Sequence, residues 1–179
     1  MGSDELMLKH VTEGDYHIQQ PVNHDLRIKV LNDLVSLPTR EHLAAGVDVS
    51  FHNIRYHDDE YGTSQVPFTP NGIYDVSPGF TYKADTGLAF DFPDGWFGLI
   101  DSRSSLAVKY GMMPVCRTID TDYRGELTIV FQLQRPARFQ IGERIAQMIL
   151  LPFSTHHITQ VDELRDTKRG DGGFGSSGK

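Results

Sequence analysis

The segment Gly87-Leu88-Ala89-Phe90-Asp91-Phe92 places a large apolar side chain at every second residue. Leu26-Arg27-Ile28-Lys29-Val30 and the stretch from Leu127 to Leu133 alternate in a similar way. Successive side chains of a β-strand point to opposite faces, so each of the three segments predicts a half-buried strand. Turn residues separate these strands, at Pro38, Asn71-Gly72, Pro78-Gly79, Pro93-Asp94-Gly95, Arg124-Gly125 and Ile141-Gly142. The pattern is typical of a sandwich or jelly roll and predicts an all-β core.

One short helix is expected within this core. The segment Ser104 to Tyr110 begins with serines that can cap a first turn, and Leu106, Ala107 and Tyr110 recur at the three- and four-residue spacing of one helical face. We predict a helix of about two turns here.

The length and charge of the chain limit the number of domains and the kinds of partner that it can have. It has 179 residues, with 17 Lys and Arg against 24 Asp and Glu, and a formal net charge of −7. The length suits one domain, or one domain with arms. The acidic balance argues against a nucleic-acid partner, because duplex affinity depends mainly on basic residues that meet phosphates. Apolar residues make up 39% of the chain, which indicates either exposed appendages or burial completed by partner subunits.

The single cysteine and the length of the apolar stretches indicate the cellular compartment of the protein. Cys116 has no partner for an internal disulfide, which fits a reducing compartment, so we expect a cytoplasmic protein. The longest apolar stretch, near Ile145 to Phe153, is far shorter than the ~20 residues of a membrane-spanning helix. We expect neither a signal peptide nor a membrane partner.

Three segments are predicted to be additions to the β core. Residues 1–23 are polar and form an N-terminal arm, and residues 52–71 form a long polar loop within a domain that spans residues 24–167. Residues 168–179 hold five of the 17 glycines and form a flexible C-terminal arm.

The segment Ile119-Asp120-Thr121-Asp122-Tyr123-Arg124-Gly125 is the first candidate for chemistry. In an extended segment, Asp120 and Asp122 lie on one side and Tyr123 on the other. In a pocket, Asp120 can act as a general base on water. A solvated hairpin turn explains the same residues without any chemistry.

Two further segments suit phosphate groups. Ser102-Arg103-Ser104-Ser105-Leu106 combines a guanidinium, hydroxyls and the free N–H groups of a helix start, although plain helix capping is the alternative. In the tail, Arg169 supplies charge and the glycines allow close backbone approach, although a disordered tail has the same composition. Arg144 is expected to be a structural ion-pair partner. The eight histidines show no ligand spacing and are expected at the surface.

Five segments, in this order, resemble the motifs of the trimeric dUTPase family (deoxyuridine 5′-triphosphate nucleotidohydrolases). They are Ala44-Ala45-Gly46-Val47-Asp48, Arg103-Ser104-Ser105-Leu106-Ala107, Ile119 to Gly125, Gly142-Glu143-Arg144-Ile145-Ala146-Gln147, and Arg169 to Gly178. The similarity covers residues 24–179. It implies a jelly-roll-like distorted β-barrel, a homotrimer whose sites are shared between subunits, and Mg²⁺-dependent hydrolysis of dUTP to dUMP and pyrophosphate.

The resemblance also implies roles for individual residues. Asp120 corresponds to the carboxylate that activates the attacking water, Gln147 to a residue that positions this water, and Asp48 to an acid that contacts the metal through water. The implied substrate contacts are Arg103, Ser104 and Ser105 at the helix start; Arg117, Thr118, Ile119, Tyr123 and Thr128 around the nucleoside; and Arg169, Phe174, Gly175 and Ser176 in the tail.

Some residues depart from the family pattern. Val115 and Arg117 stand where the family usually has glycines that read the uracil edge. Ser105 also replaces a glycine of the family motif. With this serine, the segment Arg103-Ser104-Ser105-Leu106-Ala107 is similar to the related dCTP deaminases as well. Those deaminases carry a catalytic glutamate in the strand that follows the Asp-containing turn, whereas Leu127 to Phe131 offers none. The missing glutamate argues against deamination. The alternatives are a deaminase-like or dual dCTP/dUTP-hydrolysing enzyme of the same fold and an interaction protein switched by nucleotide.

Overall fold

A computed structural model describes residues 25–58 and 62–171. These contain twelve strands and one helix: β1 (Arg27–Val30), β2 (Gly46–Ser50), β3 (Asn53–Asp58), β4 (Gly62–Gln65), β5 (Ile73–Val76), β6 (Tyr82–Asp91), β7 (Trp96–Ser102), α1 (Ser104–Tyr110), β8 (Met113–Pro114), β9 (Thr118–Ile119), β10 (Glu126–Gln132), β11 (Ala137–Gln140) and β12 (Arg144–Pro152). The N-terminal arm predicted at 1–23, together with Phe174, Gly175 and Ser176, lies outside the described residues.

All strand pairs are antiparallel, and the strands divide among three sheets. The largest has the order β4-β3-β6-β10-β8, with β1 also paired to β6. A second sheet has the order β2-β12-β7-β9, and β5 pairs with β11 in a third. Side chains from all three sheets, including Leu88, Met148 and Phe139, join one hydrophobic core. The prediction of an all-β, jelly-roll-like fold is therefore confirmed.

The three segments predicted as strands correspond to β1, β6 and β10, but β6 is more deeply buried than predicted. All seven residues from Ala84 to Phe90 are buried, rather than every second one. Strands β1, β3 and β10 all pair with β6. The face of β6 that the alternation would expose carries Asp85, which is covered by the side chain of Arg55. Because β6 is central, it fixes the register of the whole sheet.

The prediction of a polar loop at residues 52–71 was wrong. Half of this stretch lies in the paired strands β3 and β4, and residues 53–56 of β3 also pair with β6. Ile54 and Val66 are buried and join the core, and the Val66 N–H donates to the Ile54 carbonyl at 3.2 Å. Two apolar anchors among many polar residues suffice for a strand near the sheet edge, because only one of its faces meets the core.

The helix has the predicted bounds but not the predicted cap. Its N-cap residue is Arg103, and no side chain caps the first turn, so the expectation of a serine cap was wrong. Leu106 is buried in the core, as the spacing predicted. The helix ends at Gly111, whose positive φ of 61° permits its N–H to bond back to the last turn. In the part of the chain that the structure describes, no helix is long and apolar enough to span a membrane.

Candidate functional site

Three polar side chains form a row across the β2-β12-β7 sheet. Asp48, Gln147 and Asp101 are Cα partners on adjacent strands, so their side chains project from the same face. The next pair, Met148 and Ile100, is fully buried and faces the core. The row therefore lies on the face of the sheet opposite the core. Asp101 was missed by sequence reasoning, because its relation to Gln147 depends on a strand register that only the fold sets.

Two arginines converge on one end of the row. Arg103 Nε and Arg144 Nη1 each lie 3.2 Å from Asp48 Oδ2, and Arg103 Nη1 donates to the Arg144 carbonyl at 3.1 Å. The prediction that Arg144 forms an ion pair is confirmed. Arg103 is also the N-cap of α1, so the exposed Ser104 and Ser105 follow it at the helix start. Residues from three separate sequence segments thus meet at Asp48.

The amide of Gln147 has a fixed orientation. Its Nε2 donates to the Ser102 carbonyl at 3.1 Å. A Cβ at Gly46 would lie 2.9 Å from the Met148 carbonyl oxygen and 3.3 Å from Gln147 Oε1, so the glycine leaves space beside this amide. With Nε2 bonded to Ser102, Oε1 can accept a hydrogen bond from a further donor.

Arg117 lies against the opposite end of the row. Its Nε donates to the Ile100 carbonyl at 2.9 Å, and its Nη2 lies 3.4 Å from Asp101 Oδ1. The Ile100 N–H in turn donates to the Arg117 carbonyl at 2.7 Å. Thr118 and Ile119 follow in β9 and pair with Leu99 and Gly98. The segment that carries Arg117 is therefore attached to the same sheet as the row.

Asp120 lies in a turn and not in an extended segment, which corrects the extended geometry predicted for it. The Tyr123 N–H donates to the Asp120 carbonyl at 3.1 Å, and Thr121 Oγ1 donates to the Trp96 carbonyl at 2.6 Å. The Tyr123 hydroxyl donates to the Glu126 carbonyl at 3.0 Å, while the side chain remains 47% exposed. The turn thus holds Asp120 in a defined position and leaves the ring of Tyr123 partly exposed.

A cavity of about 540 Å³ opens next to this turn. Its lining includes Asp120, Thr121 and Asp122 together with the rings of Phe97 and Phe153, whose centroids lie 6.3 Å apart in an edge-to-face arrangement. A lining of acidic and hydroxyl groups with apolar rings suits a small ligand with one polar and one flat apolar part.

Asp120 and the polar row do not meet within one chain. Asp101 lies in the row, whereas Thr118 pairs with Leu99, and Asp120 follows two residues farther from the row. Ile119 is level with Gly98, three residues from Asp101, and a strand advances about 3.3 Å per residue, so the chain enters the Asp120 turn about 10 Å along the sheet from the level of Gln147. The strand register therefore leads Asp120 away from the row within a single copy.

Thr128 lies in the other large sheet. Its Oγ1 donates to Asp85 Oδ1 at 3.1 Å, and the same carboxylate receives Arg55 Nη2 at 2.7 Å, Arg55 Nε at 2.9 Å and Asn53 Nδ2 at 3.0 Å. Burial alone would raise the pKa of Asp85, but these hydrogen bonds outweigh it and lower the pKa below its ordinary value. The hydrogen bond to Asp85 correspondingly raises the pKa of Arg55.

The histidines differ in their surroundings. His156 and His157 are exposed, as predicted. His52 is half-buried, so the prediction that it lies at the surface was wrong. Its Nε2 lies 3.1 Å from Glu126 Oε1, and its Nδ1 lies 3.2 Å from Asn32 Nδ2. Among residues 25–58 and 62–171, no three His, Cys, Asp or Glu side chains form a metal-ligating group.

In the tail, Arg169 lies in an exposed turn in which the Gly170 N–H donates to the Thr167 carbonyl at 3.1 Å.

Residues 73–178 match the family model described as dUTPase. The chain is 37% identical to the deoxyuridine 5′-triphosphate nucleotidohydrolase of an Anaeromyxobacter species over 70% of this chain and 86% of that protein. It is 34% identical to the enzyme of the same name from Debaryomyces hansenii, over 89% of this chain and 91% of that one. For the Solanum lycopersicum enzyme of that name the identity is 32%, over 99% of both chains.

Two solved structures share the fold. The dUTPase of Staphylococcus bacteriophage 80alpha with dUPNHPP superposes with a TM-score of 0.68 at 24% identity, covering 88% of this chain and 100% of that one. A mutant dUTPase from phage phi11 of S. aureus, in which a structural Mg(II) ion is coordinated, gives a TM-score of 0.63 at 19% identity, over 80% and 100% of the two chains.

Proposed function

The chain belongs to the dUTPase family, and from this premise we propose that it hydrolyses dUTP to dUMP and pyrophosphate. The observation that carries the proposal is the convergence of Arg103, Arg144 and Gln147 on Asp48 and its neighbours. Positive charge next to a fixed amide is what a triphosphate and an attacking water require.

Asp120 is the general base of the proposed reaction. Its exposed carboxylate takes a proton from a water molecule, whose oxygen forms a bond to the α-phosphorus while the bond from that phosphorus to the bridging oxygen breaks. Pyrophosphate is the leaving group and dUMP the other product. Gln147 Oε1 accepts a hydrogen bond from the same water, because Nε2 is bonded to Ser102.

Arg103, Ser104 and Ser105 bind the phosphate chain at the start of α1. The first N–H groups of a helix lack partners within the helix, and phosphate oxygens accept from them. Arg103 already lies beside the carboxylate of Asp48, so its guanidinium is held where the phosphates arrive. The tail residues Arg169, Phe174, Gly175 and Ser176 add further contacts to phosphate and base.

The nucleoside lies against the segment that leads into the turn. Arg117, Thr118 and Ile119 bind on the base side, and the half-exposed ring of Tyr123 packs on the deoxyribose, where a 2′-hydroxyl would collide with it. Thr128 contributes less directly, since its hydroxyl is bonded to Asp85.

Mg²⁺ fits this site as an ion carried by the substrate. Mg²⁺ in nucleotide enzymes commonly takes most of its six oxygen ligands from phosphates and water, so it needs few protein carboxylates. Asp48 is one such carboxylate, and its two arginine partners bring the phosphates close to it. Asp48 would hold the ion through water. When bound, Mg²⁺ neutralises charge on the phosphate oxygens and on the leaving group.

A homotrimer with shared sites supplies what one chain lacks. Asp120 from one copy meets the row of Asp48, Gln147 and Asp101 of another, because the strand register within a single chain leads Asp120 away from its own row. The face that bears the row also carries the half-buried Leu99, Ile149 and Leu151, an apolar surface suited to contact with a second copy.

The exposed thiol of Cys116 supports a cytoplasmic location, where thiols stay reduced.

The substrate is tested by incubating the purified protein separately with dUTP and with dCTP in the presence of Mg²⁺, and measuring pyrophosphate and ammonia. We expect pyrophosphate from dUTP and no ammonia from either nucleotide. Ammonia from dCTP would support the deaminase alternative, pyrophosphate from both would indicate a dual enzyme, and no product from dUTP would refute the proposal.

A further inference from the structure

The side chain of Arg124 ties the turn that carries Asp120 to strand β6 of the opposite sheet. Arg124 Nη1 donates to the Thr121 carbonyl at 2.6 Å and, at 3.4 Å, to the Tyr123 carbonyl. Its Nη2 lies 2.7 Å from Asp91 Oδ1. The guanidinium therefore bridges two carbonyls of the turn and one carboxylate that belongs to β6.

Asp91 is well placed to orient this guanidinium. It is the last residue of β6 and the Cα partner of Arg27 in β1, and Arg27 Nη1 donates to its other oxygen, Oδ2, at 3.2 Å. Each carboxylate oxygen thus has a different arginine as its partner. Since β6 is the central strand of the six-stranded sheet, Asp91 links the crossover between β9 and β10 to the most buried strand of the fold.

We propose that Asp91 is a positioning residue for Asp120, acting through Arg124. The inference rests on the proposed dUTP hydrolysis, in which Asp120 is the base. The side chains of Arg124 and Asp91 are 55% and 38% exposed, so the pair contributes little to the stability of the fold. Its effect is geometric, because a small displacement of a catalytic base slows the chemical step far more than it weakens substrate binding.

The test compares steady-state dUTP hydrolysis by the wild-type chain and by Asp91→Asn, Asp91→Glu and Asp75→Asn. We expect Asp91→Asn to lower kcat about three- to tenfold with a change in KM below about twofold. Asp91→Glu keeps a carboxylate and should recover most of kcat. Asp75→Asn is the matched control, since it breaks the exposed 2.6 Å pair with Arg138 in another sheet, and should leave kcat unchanged.

Hydrogen exchange at the Tyr123 amide, which donates to the Asp120 carbonyl, provides a readout besides activity. We expect faster exchange in Asp91→Asn and wild-type exchange in Asp91→Glu. A wild-type kcat in Asp91→Asn, a loss of kcat without faster exchange, or an equal loss in Asp75→Asn would each overturn the inference alone. A wild-type chain that does not hydrolyse dUTP would overturn the proposed function and this inference with it.

Discussion

Asp120 and Asp122 are two exposed acids on one turn, yet only Asp120 is assigned to catalysis. Ile119 pairs with Gly98 before Asp120, and Thr121 is hydrogen-bonded to Trp96 after it, so the backbone on both sides of Asp120 is fixed. Both carboxylates line the cavity beside Phe97 and Phe153. The distinction therefore rests on the family pattern and on the position of each acid in the turn.

Asp120→Asn tests this assignment, with Asp122→Asn as its matched control. An amide cannot accept the proton from water, so we expect kcat for dUTP to fall about 10²- to 10⁴-fold in Asp120→Asn. Binding of a non-hydrolysable dUTP analogue, measured by calorimetry, should be nearly unchanged, because binding depends on phosphate and base contacts. Comparable losses in the two variants would assign the effect to net charge on the turn and would contradict the role of Asp120.

The buried carboxylate of Asp85, which is 7% exposed, makes stability depend on pH. Its pKa in the folded chain is lowered, so the unfolded chain binds more protons near the ordinary Asp value of about 3.9, and stability rises with pH there. The contribution is present above this value and is lost as the pH falls through the folded pKa.

We expect Asp85→Asn to unfold with a free energy about 2 kcal/mol lower at pH 7, because Arg55 loses its charged partner. The slope of unfolding free energy against pH between about 5 and 3 should also become smaller than in the wild type. Thr128→Val, which removes one donor to Asp85, should give an intermediate slope in urea titrations. A wild-type slope in Asp85→Asn would show that this carboxylate does not control acid stability.

Sequence reasoning found the residues that lie within one motif and missed those that depend on strand register. Arg144 was correctly expected to form an ion pair, and its partner proved to be Asp48, nearly a hundred positions away in the chain. Asp101 and His52 were overlooked as interaction partners, because Gln147 and Glu126 become their neighbours only through pairing in the fold. Local sequence does not specify such partners.

Among the elements, alternation and turn residues predicted β1, β6 and β10, and three- and four-residue apolar spacing predicted α1, whereas β3 and β4 were predicted as a loop. The hairpin is polar because it lies at the edge of the sheet, where one face and one backbone edge meet solvent. The two-residue strands β8 and β9 are too short for any periodic signal. Their pairing follows from the neighbouring strands β10 and β7.

The C-terminal end of α1 limits how far the helix start can move. Gly111 has a positive φ, and a Cβ there would lie 2.7 Å from Gln134 Cβ, while the Gln134 N–H is itself bonded to the Tyr110 carbonyl. Gly95 also has a positive φ, but a Cβ added there would meet no atom within 4 Å. A side chain at Gly95 would therefore cause backbone strain alone, whereas a side chain at Gly111 would cause both backbone strain and a steric collision.

We expect Gly95→Ala to lower the free energy of unfolding by about 1 kcal/mol, the cost of a left-handed backbone with a side chain. Gly111→Ala should cost more than about 2 kcal/mol, because the collision with Gln134 adds to that strain. It should also raise KM for dUTP, since α1 carries Arg103 at its start. Equal losses in the two variants, measured by chemical denaturation, would mean that Gln134 moves aside at no cost.

Two features of the whole molecule agree with the proposed contact between copies. The described part of the chain exposes large apolar residues along its extended end, including Ile158 and Leu164, and the polar row is separated from Asp120. An apolar content of 39% is low for a self-contained domain, and burial against other copies is one of the two explanations that composition allowed. Composition could indicate this but could not say which faces meet.

Mixing two inactive variants is the most direct test of a site shared between copies. Asp120→Asn lacks the base, Arg103→Ala lacks the phosphate contact in the row, and neither should hydrolyse dUTP at an appreciable rate alone. If the two residues act from different copies, trimers co-refolded from equal amounts contain intact sites, at about one quarter of the total for random assembly. We expect pyrophosphate release to recover towards that fraction. Mixed trimers that stay as inactive as either variant would contradict it.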